Sequence, residues 1–410
     1  MSPILFTLTL TSILIYSINI MKAPLWLAAA EALELMQVRP QTLYASVSRG
    51  RIRAKPDAAD SRRSLYHRDD VQRIAARTRG RRSSEAVATE AIRWGEPVLS
   101  SSVSTVADGR LWYRGNDACV LAGHATLEEL AGLLWECASP CLASISPLQA
   151  ARTARGQAPL QAGLLALAAR AAADPPSRGR SRAVLQAEAA DVIGTLADAM
   201  LGPAWSNALP LHQRLATAWR RPHAADVLRR ALVLMADHEL NASTFSARVT
   251  ASTGASLAAC LLSGMATLTG PLHGGAPAAV QALVRSTAAN GAEATVREWL
   301  AHDRPLAAFG HPLYPEGDVR CAALLAEIAS LPPAFEALRA AGERLVGEAV
   351  NIDFALAAMA AVHKLPAHAP LVLFALARSV GWTAHVLEQH ATGQLIRPRA
   401  RYTGPPVGTT

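Results

Sequence analysis

Cysteine and aromatic residues are both scarce in this 410-residue chain. The five cysteines, at 119, 137, 141, 260 and 321, are scattered. Only Cys137 and Cys141 have helical spacing, and neither has a further cysteine or a histidine nearby. That pattern argues against a disulfide framework and against a zinc site, and no metal site is expected. The chain reads as cytoplasmic and reduced. Phe, Trp and Tyr make up 5% of it, while 51% is apolar. Alanine dominates, with Leu, Arg and Glu around it, a mix that favours helices over sheets. No β-rich region and no internal repeat stands out. The length suits two or three domains with large cores.

Charge is absent from two long stretches. Residues 1–21 contain no Asp, Glu, Lys or Arg. Pro3 to Ile20 is largely apolar or hydroxylated and nearly long enough to span a bilayer. It lacks the basic leading segment of a signal peptide, and Met21-Lys22 reads as an ordinary start. We expect an upstream start-site artefact or a disordered extension; a membrane anchor is the alternative. Residues 249–284 also carry no charge. Gly254, Gly264, Gly270 and Pro271 interrupt them, so a buried, tightly packed helix is expected there.

The net charge of +8 is concentrated in one place. Residues 22–82 hold 14 Lys/Arg against 6 Asp/Glu, so this segment carries +8 and the remainder sums to zero. A small basic module beside a neutral body suggests a nucleic-acid contact on the module alone. Within it, Ala28 to Met36 and Gln41 to Val47 read as short helices, with Pro40 suited to the first turn of the second. Ser64-Leu65-Tyr66 reads as a return strand. Asp69 or Asp70 is expected to cap a third helix holding Val71, Ile74 and Ala75. "TLYASVSRG" followed by "RRSLYHRDDV" resembles the excisionase-like or MerR-like winged helix-turn-helix over residues 22–78. The resemblance implies that Gln41, Thr42, Tyr44, Arg49 and Arg51 face DNA; the alternative is a module that has lost DNA and only packs on its neighbour. Arg77 to Ser84 is a basic, hydroxyl-rich run, and residues 79–95 read as a linker.

From 96 to 410 nearly everything reads as helix between Pro/Gly breaks. Thr126 with Glu129 forms a capping box. Gln161–Ala173, Arg182–Leu201 and Ala224–Asp237 are helical segments, with His238 on the apolar face of the last. Two histidines stand beside glycine, in Gly270-Pro271-Leu272-His273-Gly274-Gly275 and in Gly310-His311-Pro312. Asp353 lies at an apolar edge, where burial would raise its basicity. Two histidines and a carboxylate suit polarising a carbonyl and removing a proton from carbon.

The motifs "GPLHGG", "AFGHPLYPEGDVR" and "VNIDF" appear in that order. With "ADHELNASTFSARV", "FALARSVGWTAHVLEQ" and "LIRPRARYTG", they resemble the citrate synthase family over about residues 105–405. The resemblance implies a mainly α fold of a large and a small domain, the latter spanning about 275–372, and a homodimer. It implies Asp353 as the base toward an acyl-CoA, His273 as the enol's hydrogen-bond partner and His311 as the group polarising the keto acid. His238, Arg320, Arg378 and Arg397 would bind oxaloacetate, Arg397 across the dimer. Acetyl-CoA is the expected co-substrate, with no permanently bound cofactor. Propionyl-CoA, giving 2-methylcitrate, is the alternative donor, and a non-catalytic DNA-binding metabolite sensor is the alternative class. Glu239 is expected to be a structural partner; His363 and His390 carry no motif.

The chain departs from the family pattern at several positions. Pro312, Pro315 and Glu316 stand where basic residues commonly help hold CoA phosphates. Val319 and Val350 replace prolines before Arg320 and Asn351.

Overall fold

The computed structural model describes residues 25–36, 40–48, 50–57, 60, 63–78, 99–145, 156–202, 209–302, 304, 306–400 and 402–404. The expected extension at 1–21 and the linker at 79–95 lie outside the described residues. The chain divides into two compact units at Ser100/Ser101.

In the first unit, strand β1 (Trp26–Ala28) leads into helices α1 (Ala29–Met36) and α2 (Pro40–Ser48), then β2 (Ala54–Pro56), β3 (Ser64–His67) and helix α3 (Arg68–Thr78). The sheet is antiparallel with β3 central, pairing Leu27 with Tyr66 and Ala54 with Tyr66. Leu27, Ala32, Met36, Leu43, Ile52, Tyr66, Val71 and Ala75 form its core. Neither Asp69 nor Asp70 precedes the third helix as a cap. The helix begins at Arg68, directly after β3, so both aspartates fall in its first turn. The Asp70 carboxylate reaches back instead, accepting from the Arg53 backbone N–H at 3.1 Å and Arg53 Nε at 2.8 Å.

The second unit opens on a three-stranded antiparallel sheet, β4 (Ser104–Ala107), β5 (Arg110–Tyr113) and β6 (Asn116–Asp117). Helices follow: α4 (Ala118–His124), α5 (Leu127–Trp135), α6 (Pro159–Ala173), α7 (Arg182–Leu201), α8 (Leu211–Ala218), α9 (Ala225–Met235), α10 (Ala242–Ser252) and α11 (Leu257–Leu268). Next come α12 (Ala276–Asn290), α13 (Ala292–Ala301), α14 (Val319–Leu325), α15 (Pro333–Val346), α16 (Ile352–Val362) and α17 (Ala369–Thr392). The Thr126/Glu129 capping box forms at the head of α5, where it satisfies backbone N–H groups that have no partner within the helix.

The uncharged stretch at 249–284 is not one helix. It divides into the end of α10, α11 and the start of α12, broken at Gly254 and by the turn at Gly270–Gly275. Its small residues serve close packing: a Cβ on Gly264 would lie 2.9 Å from the Trp382 ring on α17. Helix α17 is long and apolar enough to cross a membrane, but it is the buried core helix of this unit. It packs against α5, α7, α9, α10 and α11. Helices α12, α13 and α15 pack on one another, and α16 joins α12 to α14 and α17.

Candidate active site

His238 stands just past the end of α9, in a turn rather than on the helix face. That turn is braced from the small sheet. The buried Tyr113 hydroxyl lies 3.0 Å from the Val233 carbonyl oxygen and accepts the Asp237 N–H at 3.3 Å. The buried Asp237 carboxylate accepts from the Ser104 hydroxyl and lies 3.1 Å from His385 Nε2. Glu239 accepts the Val106 N–H at 2.6 Å, which ties the same turn to β4. The sheet missing from the sequence reading therefore serves to hold the backbone that carries His238.

His311 lies in a second loop. Gly310 has φ +70°, a conformation that favours glycine, and a Cβ there would collide with the Glu348 carboxylate. Asn351 Nδ2 donates to Gly310 O at 3.1 Å and Ala307 O at 2.8 Å, so the loop is fastened to the head of α16. The Leu313 N–H donates to His311 Nδ1 at 3.1 Å. Nδ1 is then an acceptor, and the neutral ring carries its proton on Nε2.

Asn351 also caps α16, accepting the N–H groups of Asp353 and Phe354 at 3.1 and 3.4 Å. Asp353 is thereby freed from capping. Its Oδ1 is buried and has no hydrogen-bond partner among the described residues. Burial pushes the carboxyl up to about 6, against the opposing charges of Arg320 and Arg378. Asp318 lies behind it. It accepts Arg320 Nε at 2.9 Å, Arg320 Nη2 at 2.8 Å and the Ile352 N–H at 3.0 Å. Both carboxylate oxygens are occupied, and the Arg320 guanidinium is held by a bidentate pair.

His273 sits in the turn between α11 and α12, with Nε2 2.8 Å from Ser243 Oγ. The Ser243 hydroxyl accepts Trp382 Nε1–H at 3.1 Å and lies 2.8 Å from Asn241 Oδ1. Its hydrogen goes to Asn241 Oδ1, which also accepts the Thr244 N–H, and Ser243 Oγ is left as an acceptor toward His273 Nε2. The ring packs edge-on to Phe374, with centroids 6.0 Å apart. Phe374 in turn lies 4.7 Å below the Arg378 guanidinium. Arg378 is buried, donates Nε to Met235 O at 3.0 Å, and makes no salt bridge among the described residues.

The charges of Arg320 and Arg378 bind these groups into one site. Burial, then Arg320, holds His311 down at about 4; burial, then Arg378, does the same for His273. Burial, followed by Arg320 and other nearby positive groups including Arg378, takes His238 well below the usual imidazole range. Both guanidiniums also act on Asp353. At neutral pH the site thus presents three uncharged imidazoles, two cations and one carboxylate of raised basicity.

Arg397 is exposed beyond α17 and makes no contact with these residues among those described. Gln41, Thr42 and Tyr44 lie exposed on α2, and Arg51 is exposed three residues beyond its end; Arg49 lies outside the described residues. His390 Nε2 bonds to Ser177 O at 2.9 Å and His363 ends α16, both structural positions. Four contributors went unread in the sequence: Ser243, Tyr314, Asp318 and Asn351. Each lies inside a quoted motif; Ser243, Tyr314 and Asn351 reach partners in other motifs, and Asp318 pairs with Arg320 in its own and with Ile352 in another.

The fold and site define a mainly helical protein whose buried carboxylic acid and neutral imidazoles suit proton transfer at carbon. The family model for the citrate synthase C-terminal domain matches residues 92–399, and the chain belongs to the citrate synthase family. It is 40% identical over 191 residues to a citrate synthase of Haloferax volcanii, covering 44% of this chain and 50% of that one. It is 30% identical over 359 residues to citrate synthase 2 of Bacillus subtilis, covering 76% and 95%. With 2-methylcitrate synthase 2 of Corynebacterium glutamicum it shares 33% over 192 residues, 44% and 50%. The chain thus matches only half the length of the Haloferax relative. Among solved structures, citrate synthase from Pyrobaculum aerophilum superposes with a TM-score of 0.63 at 26% identity, covering 76% of this chain and 91% of that one.

Proposed function

We propose that the protein condenses acetyl-CoA with oxaloacetate to give citrate and CoA, acting in the cytoplasm as a homodimer. The observation that carries this reading is the buried Asp353 Oδ1, which has no hydrogen-bond partner among the described residues and feels the charges of Arg320 and Arg378. Asp353 takes a proton from the acyl methyl carbon. His273 holds the resulting enol by a hydrogen bond. His311 Nε2–H polarises the ketone of oxaloacetate and gives it a proton as the carbon–carbon bond forms. Water then attacks the thioester, the carbon–sulfur bond breaks, and CoA leaves as the thiol. Arg320, Arg378 and His238 hold the dicarboxylate, and Arg397 completes the grip from the second subunit. Closure of the small subdomain, about 275–372, excludes water until both substrates are in place. No bound cofactor enters this chemistry.

The acyl pocket decides between acetyl-CoA and propionyl-CoA, a difference of one methylene worth only about 1–3 kcal/mol. The test is oxaloacetate-dependent thiol release from each donor. Release from acetyl-CoA in preference to propionyl-CoA is expected. No release from either would favour the rival, a metabolite sensor that keeps the fold without the chemistry.

The first unit is proposed as a winged helix-turn-helix that contacts DNA. The exposed Gln41, Thr42, Tyr44 and Arg51, with Arg49 between them in sequence, and the local charge of +8 support this. Duplex binding that weakens steeply between 50 and 200 mM salt is expected, through release of condensed counterions. Affinity indifferent to salt would sink the proposal.

A further inference from the structure

We propose that Tyr314 is a positioning residue for His238: its hydroxyl donates to Nε2 and so places the one ring proton of His238 on Nδ1. The inference rests on the proposed reaction for its consequence but not for its geometry. Tyr314 Oη lies 2.9 Å from His238 Nε2, and both side chains are buried. The hydroxyl has no other hydrogen-bond partner among the described residues. A buried O–H is costly to leave undonated, so its hydrogen goes to Nε2. The phenol keeps that hydrogen at neutral pH because burial raises its pKa. His238 is neutral for the same reason and has one ring lone pair to offer.

The hydroxyl is aimed as well as near. The Tyr314 ring packs on His238 and on His311, with centroids 5.6 and 5.1 Å apart. The Arg320 guanidinium covers it at 5.0 Å, itself fixed by Asp318. A ring held by three neighbours cannot turn its hydroxyl away without unpacking them.

The result is a complementary pair. The His238 and His311 rings stand 4.9 Å apart at 89°. One loop, from Gly310 to Tyr314, sets both: Leu313 N–H occupies His311 Nδ1, and Tyr314 O–H occupies His238 Nε2. His311 is left with a donor at Nε2 and His238 with a donor at Nδ1. The site thus gains two neutral donors of opposite tautomer. Under the proposed reaction, one serves the ketone and the other a carboxylate. With the other tautomer, His238 Nδ1 would turn a lone pair toward the anion.

The test is long-range 15N–1H NMR of the imidazoles in the full chain labelled with 15N-histidine, at pH 7 and without substrate. His238→Gln assigns the signal. The expected result is a protonated Nδ1 and a bare, hydrogen-bonded Nε2 on His238, converted to a tautomer mixture in Tyr314→Phe. The same variant should raise the KM for oxaloacetate about 10-fold and lower kcat by a smaller factor. A proton on Nε2 in the wild-type protein, or a tautomer unmoved in Tyr314→Phe, would overturn the inference. The tautomer is read without turnover, so a protein that releases no CoA still tests it. CoA release alongside an unmoved tautomer would sink this inference alone.

Discussion

Asp353→Asn lowers turnover by about 10³-fold, the scale of removing a positioned general base. Oxaloacetate binding should survive, because the proposed reaction assigns the dicarboxylate to Arg320, Arg378 and His238. The helix should survive too, since Asn351 and not Asp353 caps α16. Stability moves in an unusual direction. Burial raises the Asp353 carboxyl to about 6, so the folded protein holds this proton more tightly than the unfolded chain. Ionised Asp353 therefore costs stability at pH 7, and that cost disappears as pH falls below the unfolded value. The neutral amide removes it, and Tm at pH 7 should hold or rise. In the wild-type enzyme, kcat/KM should fall about tenfold per unit below pH 6, as the base becomes protonated. His273 and His311, held at about 4, contribute no limb between pH 5 and 8. Steady-state kinetics and thermal melts of the two proteins check all of this. A variant with wild-type turnover would remove Asp353 from the mechanism.

Arg378→Met should raise the KM for oxaloacetate about 100-fold or more, the consequence of losing a buried charge partner for a carboxylate. This guanidinium is the better placed of the two. Arg320 is already engaged by Asp318 through Nε and Nη2, whereas Arg378 gives only Nε to a carbonyl. Its loss should also move the acid limb. Arg378 lowers the pKa of Asp353, so without it the limb should shift to higher pH. A rise in KM with an unmoved limb would show that Arg378 binds substrate without tuning the base.

The helical body was largely legible, because the Pro/Gly breaks and caps act locally. The Thr126/Glu129 box and the helix at Arg182–Leu201 needed no information beyond their own residues. The small sheet was not legible. Its strands are four, four and two residues long, too short to show alternation. His238 moved off the helix for a similar reason: Tyr113 and Ser104 grip the turn from more than 100 residues away. In the site, the motifs gave identities and order, and the structure supplied the connections. Tyr314 meets His238 across 76 residues and Ser243 meets His273 across 30. No local pattern could have shown that the loop carrying His311 also fixes His238. The lost loop cations at Pro312, Pro315 and Glu316 are a different matter. They are plain in the sequence, as a departure from the family pattern in the loop that carries His311.

The most direct test is to supply acetyl-CoA labelled with 13C at the methyl carbon, together with oxaloacetate, and to follow the label by NMR. The account predicts that the label moves into the methylene carbon of citrate, one CoA thiol appearing per molecule formed, and that Asp353→Asn abolishes the transfer. Label that stays in acetyl-CoA or emerges as acetate, with labelled propionyl-CoA equally inert, would contradict it.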